Sequence, residues 1–231
     1  MPERSWYVDF ADRHVGHIAA ELEQYFEDLG NDLILADMNM TLHEYLSMTV
    51  LSSVAVFGVF AVMLTAGMGL MAGTTSGWIS AVIIGLFVGV FLAFYLYPSV
   101  QVGRRRSNIE NNLPFATMYL STVAGTGTPP AALFELLGEF DEYGEVSDEA
   151  RNISRDIYTF GAGTTEALRG AAKRTPSDKF KELLWGINSI LTTGGDLRAY
   201  LQEKSESFMQ DYRRSLDEFT DTLSLLVEMY I

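Results

Sequence analysis

From Tyr45 to Gly103 the chain runs for 59 residues without an Asp, Glu, Lys or Arg. About a quarter of the residues in an ordinary soluble domain are charged, so this run reads as lipid-embedded. It is too long for one span of roughly 20 apolar residues and fits two. Thr41-Leu42-His43-Glu44 predicts a helix start of the capping-box type. There the Thr41 hydroxyl accepts from the Glu44 N–H, and the Glu44 carboxylate accepts from the Thr41 N–H. The first span is expected at about 46–71. Gly73-Thr74-Thr75-Ser76-Gly77 predicts a turn. The second span, about 78–97, opens on Trp78 and is expected to stop at Pro98, which has no N–H for the helix ladder. Tyr95 and Tyr97 stand where an aromatic belt would lie. Gly85 and Gly89 make a small-xxx-small pair suited to close helix packing, within the hairpin or between chains.

On both sides of the run the apolar positions fall at helical spacing. Before it, Val8, Val15, Ile18, Leu22, Tyr25, Phe26 and Leu29 share a stripe, with Gly30 as a stop, and a second short helix is expected from Asp32 to Met38. Residues 1–40 are thus a pair of amphipathic helices, and 41–103 are the transmembrane hairpin. Residues 104–231 divide into six helices. The first is expected over Leu113 to Ala124. The second starts with Thr128 as N-cap and Pro129 at the first position, with Ala132, Leu133, Leu136, Leu137 and Phe140 inward. Ser147 is expected to cap a third, to Phe160, and a fourth covers Thr165 to Arg174 before Pro176. Ser177 caps a fifth, whose stripe is Phe180, Leu183, Leu184, Ile187, Ile190 and Leu191, ended by Gly194-Gly195. Asp196 caps the sixth, which has no Gly or Pro from Leu197 to Ile231 and turns apolar nearly all round from Leu223. Such an end is expected to continue into a further span of a longer protein. The predicted fold class is an all-α membrane protein: a two-span hairpin with a cytoplasmic six-helix bundle.

Charge orients this arrangement. The first 44 residues carry 10 acids and 2 bases, and the whole chain of 231 residues carries 30 acids and 16 bases, for a net charge of −14. Arg104-Arg105-Arg106 directly follows the second span, and the turn between the spans is uncharged. The positive-inside rule puts these arginines, the bundle and the N-terminal segment in the cytoplasm. The arginines are expected to serve topology and to meet anionic headgroups. An acidic chain is a poor partner for nucleic acid. Neither span holds an ionisable residue, which counts against a proton relay or charged ion path.

Candidate chemistry is sparse. With no Cys there is no disulfide, thiol catalysis or thiolate metal site. All three His lie before the first span, so no Ser/His/Asp set forms. His14 and His17, three apart, lack a third metal ligand. Gly125-Thr126-Gly127-Thr128 and Gly161-Ala162-Gly163-Thr164 follow no strand and lack the Lys of a phosphate loop. No catalytic, cofactor or metal site is expected. Two charge clusters remain as partner surfaces or plain solvated faces: Lys173, Arg174, Lys179 and Lys181 around the Pro176 turn, and the acidic loop of Glu139, Asp141, Glu142 and Glu145.

The order of these parts resembles the type II secretion system F-domain family. Ile109-Glu110-Asn111-Asn112-Leu113-Pro114 is similar to the family's Ile-acid-x-x-Leu-Pro opening. The stretch from Val123 to Leu133 is similar to its Gly-containing helix–helix turn, and Thr192-Thr193-Gly194-Gly195-Asp196-Leu197 resembles its step into the long helix. Leu223 to Ile231, with Glu228 before Met229-Tyr230-Ile231, is similar to the approach to the next span in archaeal pilus and archaellum platform proteins of the tight-adherence C and archaellum J type. The resemblance covers about residues 30–231 and corresponds to the N-terminal half of such a protein. It implies a non-enzymatic inner-membrane assembly platform, without cofactors. Such a platform couples a hexameric secretion ATPase to pilin-like subunits in a lipid bilayer and forms a homodimer. It supplies no catalytic residues to carry over. A two-span membrane sensor with a helical relay domain is the alternative; it would need an external domain, which a five-residue turn does not provide.

Overall fold

The structure, a computed structural model, describes residues 27–38, 40–68 and 76–230, with their side chains apart from 27, 28 and most of those between 57 and 91. The helix expected from Val8 to Leu29 lies outside the described residues up to residue 26, His14 and His17 included, as does most of the Gly73–Gly77 turn. Among the described residues all regular structure is helical. The chain divides into two compact units, Met1–Val102 and Gly103–Ile231.

In the first unit, α1 (Glu27–Leu35) packs on α2 (Leu42–Met68) through Leu29, Leu33, Tyr45 and Leu46. Helix α1 runs through Gly30, where the sequence predicts a stop, and at Gly30 it lies beside the Leu42 side chain at the start of α2. The capping box forms as expected, with Thr41 N donating to Glu44 Oε2 at 2.9 Å and Glu44 N to Thr41 Oγ1 at 3.2 Å. Ser47, Thr49 and Ser53 are buried, and each hydroxyl donates to the carbonyl four residues back. These three buried hydroxyls are thereby paired.

Helix α3 spans Ser76–Ala124 without a break. This corrects two expectations at once, since the second span does not end at Pro98 and no separate helix begins at Leu113. Proline removes one ladder bond and frees the carbonyl four residues earlier, here that of Phe94. The Tyr45 hydroxyl donates to that carbonyl at 2.7 Å. A side chain from α2 thus replaces the missing donor, and the helix continues.

Among the described residues no helix is long and apolar enough to cross a membrane. Most side chains of the expected spans, 46–71 and 78–97, fall outside the described set.

The second unit closes one core. It draws Ile109, Leu113 and Leu120 from α3, and Phe134 and Leu137 from α4 (Pro130–Gly138). Ile153 comes from α5 (Glu145–Tyr158), Leu168 from α6 (Thr164–Arg174), and Phe180, Leu184 and Ile187 from α7 (Asp178–Thr193). Leu201 and Phe208 come from α8 (Leu197–Tyr230). Each such side chain contributes about 1.5–3 kcal/mol of burial. Helix α4 starts one residue later than predicted, on Pro130, and turns Phe134 inward while Phe140 is exposed. Helix α5 starts at Glu145 after a 3-10 turn over Asp141–Tyr143, so Ser147 is not its cap. Ser147 is buried in the first turn and donates to Phe140 O. The cap comes from afar: Asn108 Oδ1 on α3 accepts from Glu145 N at 2.9 Å. Gly144 before it has φ +55, and a Cβ there would lie 2.6 Å from that same Asn108 oxygen, so the position requires glycine. The Ser177 cap on Phe180 N (3.2 Å), the Asp196 cap on Ala199 N (3.0 Å) and the stop at Gly194 all stand where the sequence predicts them.

Candidate functional site

The charged side chains of the second unit separate into those committed to the bundle and those that face outward. The arginine run on α3 is split by the helical twist. Arg105 points inward and is 5 % exposed; its guanidinium pairs with Glu149 and, at 3.1 Å, with Glu145, both on α5. Arg106 joins Glu110 one turn on at 2.9 Å and Asp178 at the start of α7 at 3.2 Å. The hydrogen bond that Arg106 donates to the Glu110 carboxylate holds the guanidinium above its usual pKa. Arg104 is exposed. Of the three arginines expected to face headgroups, then, Arg105 instead ties α3 to α5. Sequence spacing held the signal, since consecutive helical residues are 100° apart and cannot all share one face.

The basic cluster around Pro176 is similarly engaged. Arg174 pairs with Asp156 at 3.1 Å, Lys179 with Asp211 on α8 at 3.0 Å, and Lys181 lies 3.9 Å from Asp178. Thr175, Pro176 and Ser177 are buried, with the Ser177 hydroxyl 3.3 Å from the Glu110 carboxylate. Lys173 is exposed at the end of α6. In the acidic loop, Glu145 is taken by Arg105. Asp141 pairs with Arg151 at 2.8 Å, and Arg151 also meets Asp148 and the Gly138 carbonyl. Glu139 and Glu142 are exposed. The surfaces left to a partner are therefore narrower than the sequence implies: Lys173 and Lys181 on one side, Glu139 and Glu142 on the other.

Gly85 and Gly89 are exposed, and a Cβ built on either would meet nothing within 4 Å. Among the described residues a close helix contact occurs at another glycine. Gly186 on α7 lies under the Tyr200 ring of α8, whose hydroxyl would be 1.8 Å from a Cβ at that position. Burial pushes Tyr200 up to about 12, with Glu182 and Glu203 adding to the effect. A cavity of about 390 Å³ opens between α3 and α8 where they separate, with Glu110, Lys179, Asp211 and Tyr212 on its walls. Among the described residues no group of three His, Asp or Glu side chains is placed to hold a metal ion.

The family model of type II secretion system protein F matches residues 116–231, from the last turns of α3 to the end of α8. An uncharacterised protein of Methanocaldococcus jannaschii is 29 % identical over 142 residues, 62 % of this chain and 24 % of the relative. Flagella accessory protein J of the same organism is 25 % identical over 159 residues, 63 % of this chain and 28 % of the relative. Flagella accessory protein J of Methanococcus voltae is 24 % identical over 136 residues, 58 % of this chain and 24 % of the relative. The chain spans about a quarter of the length of these curated relatives. No solved structure matches it. With half of its residues matched, and those residues forming most of one closed helical bundle, the chain belongs to the type II secretion system protein F family.

Proposed function

We propose that the chain is part of a non-enzymatic membrane platform that couples a cytoplasmic hexameric ATPase to the assembly of pilin-like subunits into a pilus- or archaellum-like filament. The family match over residues 116–231 carries this reading, together with relatives named for the archaeal flagellum. The 59-residue uncharged run supports a membrane anchor, folded as a two-span hairpin with the bundle and N-terminus in the cytoplasm. In that role the bundle needs rigidity rather than a reactive centre. Its helix-to-helix ion pairs fit a part that transmits force.

The motor contact is assigned to residues whose charge is not consumed inside the bundle. Lys179 is set aside, because reversing it would also break the tie to Asp211. The test is capture of a hexameric secretion ATPase of the same organism from detergent-solubilised membranes. Lys173→Glu with Lys181→Glu, or Glu139→Lys with Glu142→Lys, is expected to cut recovery of the ATPase, and more so at high salt. If the unaltered chain retains no ATPase, the platform reading fails. If both double variants retain it fully, the contact lies elsewhere.

A further inference from the structure

Helix α3 carries two apolar faces. One, with Ile109, Leu113, Ala116 and Leu120, is buried in the core. On the other, Phe115, Met118 and Tyr119 wall a cavity of about 460 Å³, together with Tyr143 from the 3-10 turn. Phe115 and Met118 are exposed. Neighbouring rings hold the aromatic walls in place. Phe115 stands edge-on to Tyr212 of α8 at 5.4 Å, and Tyr119 stands edge-on to Phe140 at 5.1 Å and lies 6.1 Å from Tyr143. The polar groups beside the rings share one character. Asn112 donates its amide nitrogen to Asn108 O at 2.9 Å, and Thr122 donates its hydroxyl to Met118 O at 2.9 Å. What each has left is an acceptor oxygen. Glu142, also in the wall, is exposed, can only accept, and forms no ion pair among the described residues. No Lys or Arg stands among the described residues that wall the cavity. Burial raises the Tyr119 pKa, with Tyr143 and then Glu139 adding to it, so this hydroxyl stays neutral.

Aromatic faces carry negative potential and attract a cation. Acceptor oxygens without spare donors call for a ligand rich in N–H groups. A guanidinium meets both needs, because it stacks on rings and donates as a fork to a carboxylate. We infer that this cavity docks an arginine side chain presented by a basic segment of a partner protein. The guanidinium lies over the rings of Phe115 and Tyr119 and donates to the Glu142 carboxylate and the Asn112 oxygen. Its methylene stem runs along Met118. A lysine ammonium is compact, strongly hydrated and unable to stack, so it fits less well. A chain of net charge −14 draws such a basic segment toward it. The inference rests on the motor contact proposed above only for which partner carries the arginine; the chemistry of the cavity stands apart from it.

The test uses the whole chain in detergent micelles, with methionine labelled at its methyl carbon for nuclear magnetic resonance. The Met118 signal is identified by its loss in Met118→Leu. The probes are short acetylated peptide amides with a central arginine, lysine or citrulline between glycines; citrulline keeps the shape of arginine and removes its charge. The arginine peptide is expected to shift the Met118 signal saturably. The lysine peptide should bind severalfold more weakly, and the citrulline peptide should leave the signal in place. Glu142→Gln and Phe115→Leu, both at exposed positions, should each weaken the arginine peptide severalfold, whereas Glu166→Gln, an exposed acid outside the cavity wall, should not. An arginine peptide that leaves Met118 unmoved overturns the proposal. So does a citrulline or lysine peptide that binds as well, or binding undiminished in both wall variants. This readout needs no ATPase, so its failure is distinct from a failure of ATPase capture, which bears on the platform reading alone.

Discussion

At the scale of single residues, Arg105 is the side chain whose removal should matter most. It is buried with two carboxylates on α5, and one of them, Glu149, is itself buried. Breaking a buried ion pair by removing one member costs about 3–5 kcal/mol. Arg105→Ala is therefore expected to lower the thermal midpoint sharply, whereas Arg104→Ala, at an exposed position, should leave it within error. Equal effects would contradict the assignment of Arg105 to the bundle. Tyr200 makes a second prediction. Its folded pKa, pushed up to about 12, lies above the unfolded value near 10, so the folded state holds the proton more tightly. Its contribution to stability is fully present below pH about 10 and is lost as pH rises toward about 12. Tyr200→Phe should flatten the stability profile in that window and leave neutral pH unaffected by titration. A slope unchanged by the substitution would assign the alkaline loss to other groups.

At the scale of elements, the length of α3 depends on a bond between helices. Pro98 frees the Phe94 carbonyl, and Tyr45 fills it at 2.7 Å. Tyr45→Phe should cost about 1–3 kcal/mol for the carbonyl left unpaired. Pro98→Ala restores the N–H, so Tyr45→Phe made on that background should cost less; additive effects in the cycle would sink this account of the proline. The same bond shows what the sequence could and could not disclose. The capping box at Thr41, the Ser177 and Asp196 caps and the stop at Gly194 were legible because each is settled within three or four residues. The stop expected at Pro98 was not, because it is overridden by a residue on a neighbouring helix, Tyr45. The start of α5 failed likewise, its cap being Asn108, 37 residues away. Charge clusters were legible as clusters, but not their internal pairing. Whether Lys179 meets a motor or Asp211 depends on how α7 lies against α8.

At the scale of the whole molecule, the chain joins two materials, an uncharged run of 59 residues and an acidic bundle held by one core and cross-helix ion pairs. The proposed function requires that the first anchor the second on the side of the membrane where an ATPase works. The most direct measurement is labelling of single cysteines, introduced at Thr75 between the spans and at the exposed Ser107 beyond them, with a membrane-impermeant thiol reagent on intact cells. Thr75→Cys is expected to label from outside, and Ser107→Cys only after the membrane is opened. Labelling of Ser107→Cys on intact cells, with Thr75→Cys protected, would contradict this orientation.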